Sequence, residues 1–385
     1  MASSMVELDV DFEGASAKGI ERLGDSAFSF ALRVDCKGNR YFAVRLENPG
    51  DSAAEVDLSA RIDPDFPDRP FRVKPTVWVE RGGVWGHLSG VTMAEDRRSL
   101  SMAVDLAAGE RLKVAGAPTV EFGAAMSQLD QMVAASEGRL EASDIGESVE
   151  GRPLRVVSLR KGTALPRIVI IAGEHAAEAE GTQGAMGAFE SALAAADDDP
   201  VSLFRVDLLW FSNPDGAVHG WQQFSAFDVA RKDSTDETDL CWHHDYKHID
   251  AGRPEDASPE ARHVWGWLTE PDVPAFVLNF HSYMSGRSQG YYRAPAELFP
   301  EEKRDQVLAL DEFLKVAARP SPEWDESRMD THDHLCSGHM GDYLAPLGCF
   351  AYTFEMHNAN TIESFRSTAA AALRAGAAFC AAHPR

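Results

Sequence analysis

Two patterns of hydrophobic and polar positions divide the chain. From about residue 25 to 118, apolar and polar residues alternate in short runs such as 28–34 and 54–62, and turn residues separate the runs. Alternation with a period of two predicts strands with one buried face. Short strands without intervening helices are typical of a small antiparallel β-sandwich. We therefore predict an N-terminal sandwich domain over residues 1–118, without a catalytic constellation of its own.

Beyond residue 118 the pattern changes to alternating strands and helices. Apolar runs predict strands at 154–159, 168–172, 204–211, 275–280 and 350–354. Helical spacing of apolar residues predicts helices at 120–138, 179–196, 259–269, 301–318 and 360–381. This alternation favours an α/β fold with a mostly parallel mixed sheet flanked by helices. We assign it to a second domain, residues 119–385.

The first candidate chemistry follows the most apolar strand. The run 168–171 is Ile-Val-Ile-Ile and leads into Gly173-Glu-His-Ala-Ala-Glu178. Functional residues commonly lie at the carboxyl ends of parallel strands. His175 and Glu178 are three positions apart at this turn, so their side chains can reach one point and bind one divalent metal ion. Taken alone, the motif also fits a surface histidine beside a helix-capping glutamate.

Two further predicted strands also end at ionisable residues. His281 directly follows one strand, and Glu355 directly follows another. His281 would complete a set of two histidines and one glutamate, which in several zinc hydrolases leaves a fourth position for water. Glu355 is the best candidate for the general base. The turn Asn213-Pro-Asp-Gly216 follows a third strand and is expected at the same rim.

Composition excludes several classes of function. The chain has 385 residues, enough for two domains, and its net charge of −24 disfavours nucleic acid and anionic membranes as partners. Five scattered cysteines without a CxxC motif argue against a disulfide framework and fit a reducing compartment. We find no membrane-spanning run and no signal peptide, so we expect a cytoplasmic protein. The oligomeric state is left open.

Several motifs together resemble a known family, the M14-type zinc carboxypeptidases. Four of them occur in the family's order: His175-Ala-Ala-Glu178, Asn213-Pro-Asp-Gly216, His281-Ser-Tyr283 and Thr353-Phe-Glu355. Residues 146–152 resemble the segment that precedes the family's first strand, and residues 337–343 resemble its substrate-pocket loop. A preceding β-sandwich is similar to the cytosolic carboxypeptidase branch, which removes glutamates or other C-terminal residues.

The resemblance implies roles for individual residues. It implies three ligands of one zinc ion: His175, Glu178 and His281. It implies that Glu355 is the general base, and Arg231 falls about where the family places the arginine that steadies the oxyanion. Asp239 would orient a zinc-binding histidine. Gly341 falls where the family tunes its side-chain pocket, and a glycine predicts no partner charge.

The chain departs from the family where the carboxylate of the substrate is usually bound. The family has Asn-Arg soon after the acid at Asp239, whereas this chain has no arginine there. The arginine often found inside the family's HxxE motif is replaced by Ala176-Ala177. The position of the tyrosine that caps the substrate in many members falls near His334 in this chain. We therefore expect an altered carboxylate anchor that is lost or relocated. The candidates for relocation are Arg253, Arg287 and Arg293.

Three functions are compatible with these features. The leading hypothesis is a zinc-dependent hydrolase that cleaves a C-terminal peptide bond with metal-activated water. The alternatives are a zinc-dependent amidase or deacylase acting on a small acylated amino acid or natural product, and a catalytically silent peptide-binding module. The cluster His243-His244-Asp245 with His248 fits a second metal site or a substrate clamp, but its irregular spacing favours a solvated polar loop.

Overall fold

The computed structural model describes most of the chain. The described residues are 5–33, 41–67, 70–71, 74–160, 162, 164–231, 245–283, 290–317, 331–333, 339–357 and 359–384. Five residues singled out in the sequence lie outside the described residues: Asp239, His243, His244, Arg287 and His334.

Two five-stranded sheets form the N-terminal part. Their strands are β1 (Glu7–Asp9), β2 (Lys18–Gly24), β3 (Ala27–Ala31), β4 (Ala43–Glu47), β5 (Ala54–Arg61), β6 (Trp78–Arg81), β7 (Val84–His87), β8 (Thr92–Met93), β9 (Ser99–Leu106) and β10 (Arg111–Ala115). The strand orders are β1-β4-β10-β6-β7 and β2-β3-β5-β9-β8. All of these pairs are antiparallel except β3 with β5. The inward positions of both sheets share one apolar core, as the alternating sequence predicts.

The second part contains a mixed eight-stranded sheet in the order β11-β12-β14-β13-β15-β18-β16-β17. Its strands are β11 (Leu140–Glu147), β12 (Pro153–Leu159), β13 (Arg167–Ala172), β14 (Arg205–Leu209), β15 (Phe276–Tyr283), β16 (Gly290–Arg293), β17 (Thr331–Asp333) and β18 (Phe350–His357). The four central strands, β14, β13, β15 and β18, are parallel to one another. Their carboxyl ends therefore meet at one edge of the sheet.

Helices cover both faces of this sheet. They are α1 (Phe122–Ala135), α2 (Ala179–Leu193), α3 (Pro214–His219), α4 (Ala226–Arg231), α5 (Tyr246–Asp250), α6 (Pro259–Thr269), α7 (Glu301–Ala317), α8 (Met340–Leu344) and α9 (Ile362–Ala382). Ile168 and Ile170 of β13 pack in the same core cluster as α2 and α9, whereas Val169 and Ile171 pack with α6. Burial on both sides explains why this strand is continuously apolar.

The mixed α/β architecture predicted from the sequence is confirmed, and every predicted strand and helix has a counterpart. Two strands run further than predicted, because β15 continues to Tyr283 and β18 continues to His357. His281 and Glu355 are thus in the last residues of strands rather than just after them. The domain division between residues 118 and 119 stays a prediction. Among the described residues, no helix has both the length and the apolar character needed to cross a membrane.

Candidate metal centre

A turn at Gly173 follows β13 and leads to the first two candidate metal ligands, His175 and Glu178. Gly173 has a φ of +70°, in the left-handed region that favours glycine. A Cβ atom at this position would lie 3.1 Å from both the carbonyl oxygen of Trp210 and the Cα of Phe211. The chain can therefore bend closely over β14 only with glycine here. The bend places His175 and Glu178 at the start of α2, where the backbone N–H of Glu178 donates to the carbonyl of His175.

Three potential ligand atoms converge at this point. Nδ1 of His175 lies 2.9 Å from Oε1 of Glu178, and Nδ1 of His281 lies 2.9 Å from Oε2 of the same carboxylate. The two Nδ1 atoms are 3.3 Å apart. A tetrahedral zinc ion with bonds of about 2.0–2.1 Å separates its ligand atoms by roughly 3.3–3.4 Å. The donor set and its spacing therefore fit zinc, with modest expansion of the two shortest contacts.

The electrostatics of the three side chains also favour a cation. Burial acts to raise the pKa of Glu178, but the two neighbouring imidazoles outweigh burial and hold its pKa at about 2. Burial acts to lower the pKa values of His175 and His281, but the nearby glutamates raise both. The carboxylate is thus ionised and attracts positive charge, which protons on the imidazoles or a metal ion can supply. Among the described residues, these three form the one such group of potential metal ligands.

Glu174 contacts Nε2 of His281, the ring nitrogen that faces away from His175 and Glu178. Its Oε2 lies 3.0 Å from Nε2 of His281, and it also accepts a hydrogen bond of 2.6 Å from Nδ2 of Asn279. Glu174 is only 3% exposed. Sequence reasoning included Glu174 in the motif without giving it a role. Its position directly before a candidate ligand was the available signal, but its partner depends on how β13 and β15 pair.

Glu355 lies beside the centre on the neighbouring strand. Its Cα pairs in register with that of His281, where β18 runs parallel to β15. Burial raises the pKa of the half-buried Glu355 carboxyl to about 8, and the negative charge of Glu178 contributes to the rise. A carboxyl with a pKa in this range can exchange protons near neutral pH.

The turn Asn213-Pro-Asp-Gly216 hydrogen-bonds to the loop between β13 and α2. Asn213 begins α3 by accepting a hydrogen bond from the backbone N–H of Gly216, and its Nδ2 donates to the backbone carbonyl of Glu174. Asp215 accepts hydrogen bonds from the Ser148 hydroxyl and from Nη1 of Arg152, both at 2.6 Å. Residues 146–152, which were singled out in the sequence, are thus attached to the rim of the site.

The N-terminal sheets contact the loop between β13 and α2, which carries His175 and Glu178. Ala177 is 2% exposed and packs in a cluster with Tyr41, Ala43 and Ala115 of the N-terminal part. Ala177, inside the HxxE motif, is therefore covered by the N-terminal sheets. A small residue fits this contact, and a guanidinium would not.

The arginines proposed from the sequence have other contacts. Nη1 of Arg231 donates to the backbone carbonyl of Asp256, and its guanidinium lies 4.9 Å from the ring centroid of Phe227. Arg253 is exposed and pairs with Asp256 at 3.2 Å. Arg293 is buried, and its guanidinium donates to both carboxylate oxygens of Asp311 at 2.7–3.0 Å. The roles of these arginines toward a substrate stay predictions.

Two members of the predicted polar cluster are described. Asp245 is buried and accepts a hydrogen bond of 2.8 Å from the backbone N–H of Ser258, and burial raises its pKa to about 7. His248 is half-buried in α5, and desolvation lowers its pKa. Burial of Asp245 contradicts a fully solvated loop at that position, because its carboxyl bonds to the residue that precedes α6.

A narrow pocket lies against β15, β16 and β18. Its wall includes Asn279, Arg293, Gly341, Asp342 and Thr353. Gly341, which was singled out in the sequence, thus lines this pocket. Val277, Met340 and Ala351 also line this pocket, so it combines apolar walls with the charged residues Arg293 and Asp342.

The sequence profile of the zinc carboxypeptidase family matches residues 125–370, well over half of the chain. The chain belongs to the zinc carboxypeptidase family. Members of this family are metal-dependent hydrolases that use one zinc ion, with which the two histidines and the glutamate described above are compatible. A search of curated proteins found no match.

Solved structures of zinc carboxypeptidases share the fold at low sequence identity. A metallo-carboxypeptidase from Burkholderia cenocepacia is 16% identical, with a TM-score of 0.76 over 98% of this chain and 100% of its own. A metallo-carboxypeptidase from Pseudomonas aeruginosa, in complex with (2-guanidinoethylmercapto)succinic acid, is 15% identical, with a TM-score of 0.74 over 97% of this chain and 98% of its own. Both matches include the N-terminal sheets. Carboxypeptidase A from Helicoverpa armigera is 15% identical, with a TM-score of 0.55, and covers 69% of this chain and 74% of its own.

Proposed function

We propose that the protein is a zinc-dependent carboxypeptidase-like hydrolase that cleaves a C-terminal amide bond of a peptide, with an altered anchor for the substrate's carboxylate. One observation carries the proposal. The Nδ1 atoms of His175 and His281 converge with the carboxylate of Glu178, and Glu355 stands in register beside them.

In the proposed reaction, His175, Glu178 and His281 hold the zinc ion. When bound, zinc polarises the scissile carbonyl and makes water acidic enough to act as a nucleophile. Glu355 takes a proton from the attacking water and passes it to the leaving amine. Its raised pKa suits both directions of transfer near neutral pH. Arg231 is the proposed source of positive charge for the developing oxyanion.

The altered anchor is supported by the state of Arg293. Its guanidinium is engaged by Asp311 and by the backbone carbonyl of Ala294, so binding a substrate carboxylate there would require exchange of a buried ion pair. Such exchange is costly, because it leaves the partner carboxylate uncompensated. We therefore propose a weak requirement for a free C-terminus.

Metal analysis and a peptide screen test this function together. The wild type should contain one zinc ion per chain, and His281→Ala should lose it. Peptides with free and amidated C-termini should both be cleaved by the wild type and by neither His281→Ala nor Glu355→Gln. A strong preference for free C-termini would contradict the altered anchor. Cleavage of small acylated amino acids in preference to peptides would favour the amidase alternative, and no turnover of any substrate by the zinc-loaded wild type would favour the binding module.

The proposed partners are a peptide or a small amide substrate. The scattered cysteines support a cytoplasmic location. The acidic net charge argues against nucleic acid or membrane partners. Fractionation of cells that express the protein would test the location, and recovery with membranes would contradict it.

A further inference from the structure

We propose that Glu174 is a positioning residue, which fixes His281 so that its Nδ1 lone pair faces the metal. This inference rests on the zinc site proposed above and assigns a role to a residue outside the ligand set. The observation that carries it is that the two ring nitrogens of His281 contact two different carboxylates. Nδ1 lies 2.9 Å from Glu178, and Nε2 lies 3.0 Å from Glu174.

The contacts of the two ring nitrogens decide which nitrogen can bind a metal. A neutral imidazole carries one N–H and one lone pair, and the hydrogen bond made by one nitrogen determines the state of the other. Only Nδ1 of His281 lies near the other candidate ligands, so in the metal-bound state Nδ1 would supply the lone pair and Nε2 the N–H, which the Glu174 carboxylate accepts. The lone pair of Nδ1 is then directed toward Glu178 and His175. A carboxylate partner on the outer nitrogen also makes the imidazole a stronger ligand.

Glu174 is itself held from two sides. Its carboxylate accepts a hydrogen bond from Asn279, two residues before His281 on the same face of β15. Its backbone carbonyl accepts a hydrogen bond from Nδ2 of Asn213, the residue that precedes α3. The carboxylate therefore connects the loop after β13 to β15 at the position of the ligand. Burial of Glu174 at 3% exposure keeps water from competing for the Nε2–H.

The geometry separates this role from that of a fourth ligand. Oε2 of Glu174 faces Nε2 of His281, the nitrogen turned away from the converging atoms. The group of potential ligands among the described residues contains Glu178 but not Glu174. Glu174 is thus placed as a partner of His281 and not as a ligand itself.

Zinc affinity of the full-length protein tests the proposal. We expect Glu174→Ala to bind zinc about 10- to 100-fold more weakly than the wild type, measured by competition with a chromophoric chelator. Glu174→Gln keeps a carbonyl acceptor at the same place and should recover a large part of the loss. If Glu174→Ala does not fold, Glu174→Gln alone should still show weaker binding than the wild type, because a neutral acceptor polarises the ring less.

A spectroscopic readout distinguishes positioning from simple support of the loop. In the zinc-loaded wild type, the Nε2–H proton of His281 should resonate far downfield, as expected for a hydrogen bond to a carboxylate. The resonance should move upfield in Glu174→Gln. An unmoved resonance together with wild-type zinc affinity in both Glu174 variants would overturn the proposal.

Two controls separate failure of this inference from failure of the zinc site. Glu260→Gln makes the same isosteric change in another fully buried glutamate, at the start of α6, and should leave zinc affinity within about twofold of the wild type. His281→Ala should abolish tight binding. Wild-type affinity in His281→Ala would refute the zinc site itself. Loss in His281→Ala with no loss in either Glu174 variant would refute only the role of Glu174.

Discussion

The four central parallel strands carry the candidate metal centre at their carboxyl end and border an apolar cavity at their amino end. At the carboxyl end lie the buried or half-buried side chains of the candidate metal centre: Glu174, His175, Glu178, His281 and Glu355. At the amino end, residues at or directly before the starts of the same strands line a cavity of about 250 Å³, together with Lys303 of α7 and the end of α9. That wall is apolar apart from Lys303 and His383.

The difference shows how one sheet serves two purposes. Burying a charge is unfavourable unless it is paired, so the ionisable residues at the carboxyl end stabilise one another or a cation. The amino end also buries charges, where Arg205 pairs with Asp207 at 2.7 Å beside Arg167. Around the cavity, however, it contributes apolar contacts, such as the ring of Phe350 against Phe299 and Phe379. Changes at the metal centre should therefore alter chemistry, and changes around the apolar cavity should alter stability.

The largest expected effect is on catalysis. We expect Glu355→Gln to lower kcat/KM by about 10²- to 10⁴-fold, because the general base is removed. Steady-state kinetics with the best peptide substrate would measure the change. Zinc content should stay near that of the wild type, and the variant should remain folded. A variant that retains more than a tenth of the activity would remove Glu355 from the proposed reaction.

The opposite result is expected at the apolar cavity. Phe350→Ala should lower the free energy of unfolding by about 3–5 kcal/mol, since a fully buried ring is lost between two others. Urea unfolding would measure it, with Phe313→Ala as the control because Phe313 is 52% exposed. Zinc affinity of the folded variant should remain within about twofold. A large loss of zinc affinity would break the separation between the two ends.

A pH-dependent effect is expected at Glu260, a buried carboxyl that is not part of the metal centre. Burial raises its pKa to about 7, so the folded state binds the proton more tightly than the unfolded chain. Its contribution to stability is complete below about pH 4.5 and is lost as the pH rises to about 7.

Because glutamine cannot ionise, Glu260→Gln should gain up to about 3 kcal/mol over the wild type between pH 5 and pH 8. Urea unfolding of both proteins at the two pH values would test this. Parallel pH profiles for the two proteins would show that the Glu260 carboxyl is not perturbed.

The smallest expected effect concerns the sandwich contact. Ala177→Leu should lower the free energy of unfolding by about 1–3 kcal/mol, because the added side chain overpacks the contact with Tyr41 and Ala115. Ala309→Leu on the exposed face of α7 is the matched control and should change stability by less than about 0.5 kcal/mol. Equal effects of both substitutions would mean that the N-terminal sheets are not tightly packed against Ala177.

The sequence by itself predicted the α/β class, the principal strands and helices, and four ionisable residues at strand ends. These predictions rest on local signals: the period of apolar positions and the rule that parallel strands present functional residues at their carboxyl ends. The structure brings His175, Glu178 and His281 together as that rule implies, and their roles as ligands stay predictions.

Only the tertiary structure decided which side chains act on one another across the sheet. Glu174 meets His281, 107 residues away, because β13 and β15 are neighbours in register. Arg293 meets Asp311 rather than being left for a substrate, and Ala177 is covered by strands from the other end of the chain. Periodicity reports which face of a strand is buried, but strand order and docking depend on long-range packing, which no local pattern contains.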